Sequence, residues 1–200
     1  MDIRNPDLRM KKTEYLLINA MANLLRTNLF SRITVNDLCI EAMVSRSAFY
    51  KHFEDKYALL RCFLNMANNE LKKNLEGKPL SDFIHTMLEY IKANVSIFKN
   101  IISSGLSGEI MEIILSPHLT NIKNAMINYY DDTPIPVEVA AYYHASAVVN
   151  TILVWVERNM HYSVEEMTSY LIAMLPPSLR DINLPFNPDE QNPGADTSNS

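Results

Sequence analysis

The stretch from Ile33 to Leu60, ITVNDLCIEAMVSRSAFYKHFEDKYALL, holds two short helical patterns meeting at a tight corner. Thr34 stands just before Val35, so its hydroxyl can accept from the unpaired amides of a first helical turn. Asp37, three residues on, is an imperfect capping-box partner. Val35, Leu38, Cys39 and Ala42 fall at i, i+3, i+4 and i+7, which is one apolar stripe of a helix. Met43 and Val44 break the pattern, and Ser45 is a fresh N-cap for a second helix containing Arg46 to Phe53. Phe49 and Phe53, one turn apart, can bury against the first helix. Arg46, Ser47, Tyr50 and Lys51 then lie on the opposite side.

That opposite side is basic, aromatic and hydroxylated. Arg and Lys bind phosphate or the acceptor edge of guanine, and Tyr and Ser donate to phosphate. The small Ser47 and Ala48 permit close approach to base edges. A solvated amphipathic helix has the same periodicity, so spacing alone leaves both readings open.

The wider context chooses between them. Thr34, Val35, Asp37, Leu38, Ala42, Val44, Ser45, Phe49, Tyr50, Phe53, Lys56 and Leu59 stand in fixed register, and over residues 10 to 65 the chain resembles the helix-turn-helix of TetR-type transcriptional repressors. The resemblance implies that Tyr50, Lys51 and Lys56 contact DNA. With the chemistry above, the expected DNA-binding set is Ser45, Arg46, Ser47, Tyr50, Lys51, His52 and Lys56, with Thr34 and Asn36 holding a flanking phosphate. One position departs from the family pattern: the turn glycine is Met43. A side chain at positive φ costs on the order of 1 kcal/mol, so the turn is either strained or relaxed in geometry.

Composition points to an all-α protein, and the resemblance implies a three-helix DNA-binding head linked to a larger helical domain. Only 4 glycines occur in 200 residues, 48% of the chain is apolar, and apolar residues recur at three and four. Charge divides unevenly. Residues 1 to 76 hold 12 Lys and Arg against 9 Asp and Glu, net +3, whereas residues 77 to 200 hold 6 against 14, net −8, giving the chain's −5. An acidic body repels phosphate and leaves the amino-terminal face to dock. No run approaches the roughly 18 uninterrupted apolar residues of a membrane span, and the charged start lacks a signal-peptide profile, so a cytoplasmic protein with no membrane partner is expected.

The flanking segments fill out the organisation. A helix over residues 10 to 28, stopped at Asn28, should brace the motif; Arg4, Arg9, Lys11 and Lys12 could form a basic arm. A helix over 55 to 75, ended by Gly77-Lys78-Pro79, links head to body. Helices are expected over 80–95, 96–103, 107–115, 117–130 (opened by Ser116-Pro117), 136–158 and 163–175. The division predicted is 1–55 for the DNA-binding head, 56–175 for regulation and dimerisation, and 176–200 as a disordered or loosely packed tail, since five of the ten prolines fall there.

No enzyme signature is present: no phosphate loop, no nucleophile elbow and no His-Glu-x-x-His. His85, His118, His144 and His161 are isolated, and Cys39 and Cys62 sit at apolar helix positions without partners at metal-ligand spacing. No catalytic residue, metal or cofactor is expected, and both thiols should be buried and reduced.

Two later segments suit a subunit interface. Val137, Ala140, Ala141, His144, Val148, Thr151, Ile152 and Trp155 share one side of 136–158, and Val164, Met167, Leu171 and Met174 one side of 163–175. The same residues would serve an internal core. The resemblance implies that these segments pair with symmetry mates, and a dimer reading two half-sites about 34 Å apart adds their binding energies. It also implies a ligand pocket among the carboxyl-terminal helices, for which Met66, Met87, Phe98, Met111, Met126, Tyr129, Tyr143 and Trp155 are candidate linings. The expected function is a homodimeric repressor on an inverted-repeat operator in double-stranded DNA, modulated by a small apolar or amphipathic ligand. The alternative is a regulator whose carboxyl-terminal domain binds a protein partner.

Overall fold

A computed structural model describes residues 6–180 apart from 74, 76, 106–107 and 131–133. Among the described residues every regular element is a helix: α1 (Pro6–Leu25), a 3-10 turn (Phe30–Arg32), α2 (Val35–Glu41), α3 (Arg46–Tyr50), α4 (Lys56–Lys73), α5 (Leu80–Ala93), α6 (Val95–Ile102), α7 (Gly108–Tyr130), α8 (Val137–Glu157), α9 (Val164–Met174) and α10 (Pro177–Arg180). The all-α reading and the amino-terminal helix-turn-helix hold.

Local signals set the boundaries of the head. The Thr34 hydroxyl accepts from the Asp37 amide at 3.2 Å and the Asp37 carboxylate accepts from the Thr34 amide at 2.9 Å, a complete capping box that starts α2. Ser45 Oγ accepts from the Ala48 amide at 3.1 Å and starts α3. Asn28 turns its side-chain amide back onto the Leu24 carbonyl at 3.1 Å, adding to the bond its own backbone N–H makes to the same oxygen at 2.9 Å where α1 ends. Met43 adopts φ +54°, so the side chain is accommodated in the left-handed region by standing almost wholly in solvent, 95% exposed.

One apolar cluster joins Leu17, Met21 and Leu25 of α1 to Phe30, Leu38, Phe49, Phe53, Leu59, Leu60 and Phe63, and continues into Ile97, Ile101, Ile110 and Ile113 of α6 and α7. The core of the head therefore extends across residue 55 into α4 and the body. Polar ties reinforce it. The Asn100 amide donates to the Leu25 carbonyl at 2.9 Å, and the Ser31 amide donates to Ser104 Oγ at 2.9 Å. A second cluster fills the space between α5, α8 and α9, with Trp155 buried and its indole N–H donating to the Tyr162 carbonyl at 2.9 Å.

Four expectations are corrected. Residues 107–115 and 117–130 are not two helices but the single α7, which runs through Pro117. Proline has no amide to offer the Ile113 carbonyl, but the buried Ile110, Ile113, Leu115 and Met126 secure the helix on both sides of it by packing. The basic arm is not free either, since α1 starts at Pro6 and carries Lys11 and Lys12 as exposed helical residues; Arg4 lies outside the described residues. The tail begins with structure: Pro177, suited to a first helical turn, opens α10, Leu179 is buried, and Arg180 donates to the Leu175 and Ala173 carbonyls at 2.9 Å. The rest of that prediction, 181–200, lies outside the described residues.

The fourth concerns the stripe along α8. Ala140, Ala141, Ile152 and Trp155 are buried within the chain itself, as are Val164, Met167 and Leu171 of α9, so this stripe belongs to the internal core. The exposed face of α8 carries Val139, Tyr142, Tyr143 and Val154, and that of α9 carries Tyr170 and Met174. Apolar residues on both sides make α8 long and apolar enough to cross a membrane by length and composition, although its core-facing side is packed in the protein.

Candidate nucleic-acid interface and internal cavity

The face of α3 is built by what it hides. Phe49 is fully buried and Phe53 nearly so, their rings 5.9 Å apart, and this pins the opposite side outward. Ser45, Arg46, Ser47, Tyr50 and Lys51 are all exposed, and His52 is half-buried with its ring 6.3 Å from Phe53. The Arg46, Tyr50 and Lys51 polar ends have no hydrogen-bond or ion-pair partner among the described residues, so their donors face solvent. Ser45 accepts at the helix start but keeps its O–H free to donate. Asn36 is exposed in the first turn of α2.

Two members of the expected set are committed elsewhere. Thr34 gives its O–H to Asp37 Oδ2 at 2.7 Å while accepting from the Asp37 amide, leaving no hydroxyl proton for a phosphate. Those bonds also hold the Asp37 carboxyl below the usual carboxylate range. Lys56 points back into the head: its ammonium donates to the carbonyls of Phe30, Ser31 and Ile33 at 3.0, 3.2 and 2.9 Å and lies 4.7 Å from the Phe30 ring centroid. An ammonium has three N–H donors, and three carbonyls take them. Burial pushes its pKa down, and no carboxylate among the described residues pairs with it. The sequence carried the signal in Phe30-Ser31-Arg32, a turn whose carbonyls need donors, but only the fold brings Lys56 to it.

The body contains a cavity of about 150 Å³ lined by α4, α5, α6, α7 and α8, with Leu175 and Leu179 on its wall. Of the eight expected linings, Met87 and Phe98 are on it. Met66, Tyr143, Met111, Met126 and Trp155 are not: Met66 and Tyr143 are exposed, Met111 packs on the second cluster, and Met126 and Trp155 are consumed in the core. The Tyr129 side chain lies outside the described residues. Sequence reading missed most of the wall, which is Ile, Leu and Val indistinguishable in sequence from any core, together with Asn68, Tyr90 and His144. Burial raises the Tyr90 pKa and lowers that of His144, so both favour their neutral forms.

Other chemistry-bearing groups are accounted for. Both cysteines are free; Cys39 is buried, and burial with Glu14 at 3.4 Å pushes the Cys62 thiol up to about 12, so neither is a thiolate at neutral pH. His85, Glu89 and Glu165 bring ligand-type atoms within 4.8 Å of one another, a spacing that could hold a cation. They are half-exposed or exposed, and Lys92, 3.9 Å from Glu89, already supplies positive charge.

A family model described as bacterial regulatory proteins of the tetR family matches residues 17–61, and one described as a transcriptional regulator C-terminal region matches residues 78–176. No curated protein matched. Among solved structures, a TetR transcriptional regulator from Streptococcus agalactiae 2603V aligns over 84% of this chain and 96% of its own at 24% identity, TM-score 0.64. The dihydroxyacetone kinase operon activator DhaS aligns over 81% and 93% at 17% identity, TM-score 0.58. NalD, the secondary repressor of the MexAB-OprM multidrug efflux pump in Pseudomonas aeruginosa, aligns over 82% and 93% at 16% identity, TM-score 0.52. With an exposed cationic α3 in the matched head and a helical body behind it, the chain belongs to the TetR family of DNA-binding transcriptional regulators.

Proposed function

We propose that this regulator is a repressor that binds an inverted-repeat operator as a homodimer and releases it when a small molecule fills the cavity. The observation that carries the reading is the outward face of α3, where Arg46, Ser47, Tyr50 and Lys51 project from a backbone fixed by Phe49 and Phe53. Arg46 and Ser47 sense bases, whereas Tyr50, Lys51, Ser45, His52 and Asn36 hold the sugar-phosphate backbone. Residues 1–55 read DNA and 56–175 regulate and dimerise; such a protein acts in the cytoplasm, by binding and not by catalysis.

Dimerisation uses the exposed apolar stripes of α8 and α9. Val139, Tyr142, Tyr143 and Val154 recur at helical spacing on one side of α8, with Tyr170 and Met174 on α9, and a second copy would take them out of water. Regulation uses a mechanical link. Cavity-lining α4 begins with Lys56, and cavity-lining α6 leads into Ser104; both grip the turn at Phe30–Arg32 that precedes α2. A ligand that shifts α4 against α6 therefore changes the head's placement, and a coupling of about 1 to 3 kcal/mol would change operator affinity roughly 5- to 150-fold. A protein partner in place of a ligand needs no internal void, so the cavity favours the small molecule.

Purified protein should select genomic fragments sharing an inverted repeat, and bind them with salt-dependent affinity as phosphate contacts release counterions. Selection of fragments without a repeat, or salt-independent binding, would defeat the proposal. Tyr143→Glu should shift the protein to monomers in sedimentation and weaken operator binding.

A further inference from the structure

Asn68 is the feature of the cavity that packing does not explain. It lies on α4 at 8% exposure, is the buried polar residue among the described residues, and its side-chain amide has no hydrogen-bond partner there. A buried amide carries two donors and an acceptor, and leaving them unmet carries the full cost of taking them out of water. Leucine would fill the same place at no such cost. The remaining wall is nearly all aliphatic and aromatic, with no Lys, Arg, Asp or Glu on it among the described residues. Tyr90 and His144 are its other main polar groups, and burial keeps both neutral at pH 7.

Size adds a bound. An apolar space of about 150 Å³ accommodates a benzene-sized molecule, and the cavity here offers that volume. An ionised ligand would enter without a counter-charge, which is far more costly than burying an amide.

We propose that the cavity selects a compact, uncharged, mainly apolar molecule of roughly six to ten non-hydrogen atoms, whose single hydrogen-bonding group is read by the side chain of Asn68. This rests on the ligand-modulated reading above and specifies its chemistry. Asn68 lies on α4, three turns beyond Lys56, so the residue that recognises the polar group is on the same helix that braces the head.

Calorimetric titration of the full-length protein, without DNA, with phenol, toluene and benzoate tests it. Phenol should bind at least tenfold more tightly than toluene, and benzoate at neutral pH at least tenfold more weakly than phenol. Asn68→Leu should reverse the phenol–toluene order, while Asn68→Gln should retain it. An unchanged phenol-to-toluene ratio in Asn68→Leu, benzoate binding as tightly as phenol, or no binding of any probe would each overturn the proposal. If Asn68→Leu does not fold, judged by its thermal transition, the Asn68→Ser variant with the same three probes replaces it, with the ratio expected to fall toward one. A separate gel shift with phenol present tells the two readings apart. Selective binding in the cavity with no change in operator affinity would leave the recognition chemistry standing and remove the ligand switch.

Discussion

The head and the body handle polar groups in opposite ways. In the head, Arg46, Tyr50 and Lys51 face solvent while Thr34, Asp37 and Lys56 are spent on holding the backbone in place. In the body the surface of α8 carries Tyr142, Tyr143 and Val154, while the interior keeps an unpartnered amide at Asn68. The contrast teaches that reading DNA requires rigid scaffolding with free side chains, whereas accepting a small molecule requires an interior that is incompletely satisfied until something enters it.

This difference can be broken most sharply in the head. Arg46→Ala with Tyr50→Phe should lower operator affinity by about 1 to 3 kcal/mol from the arginine alone, while thermal stability changes by no more than about 0.5 kcal/mol because neither polar end is packed and the residue 50 ring keeps its edge contact with Phe49. A matching loss of stability would mean that the face is structural.

Lys56 is the opposite case. Lys56→Met should cost about 1 to 3 kcal/mol of stability because the Ser31 and Ile33 carbonyls lose their ammonium donor while Phe30 keeps only the Ile33 amide, with the salt dependence of DNA binding unaltered. Lys51→Ala should leave stability alone and reduce the magnitude of the salt slope by roughly one. If Lys56→Met instead lowers the slope and spares stability, the ammonium leaves its carbonyls to meet phosphate, as the family resemblance implied.

Smaller effects sharpen the account of the scaffold. Thr34→Ala should destabilise α2 by about 1 kcal/mol. Because the folded-state Asp37 pKa lies below its ordinary 3.8, its contribution is present above that value and fades as pH falls through the folded pKa, so Asp37→Asn should flatten denaturation curves in that acid range. Met43→Gly should raise the unfolding free energy by no more than about 1 kcal/mol, since relief at φ +54° is partly offset by backbone entropy. A destabilised Met43→Gly would show that the exposed side chain makes a contact worth more than the strain.

Legibility in the sequence tracked the range of the interactions. Thr34 to Asp37 and Ser45 to Ala48 are contacts three residues apart, so caps, corner and outward face of the motif could be read in order along the chain. The interruption expected at Pro117 failed because buried residues from distant helices outweigh one missing amide. The α8 stripe could not be assigned from sequence to interface or core because small and apolar residues occupy both its sides, and periodicity identifies stripes without saying which one meets the chain's own core.

The amino-acid order alone determined the all-helical architecture, the helix-turn-helix and the identity of the exposed cations, because hydrogen bonds and apolar spacing within a few residues dictate them. Only the tertiary structure decided that Lys56 turns inward, 26 residues back to Phe30, and that Asn68 faces a void between five helices. Both outcomes depend on where separate helices come to rest, and that is set by the packing of their apolar faces rather than by any local pattern.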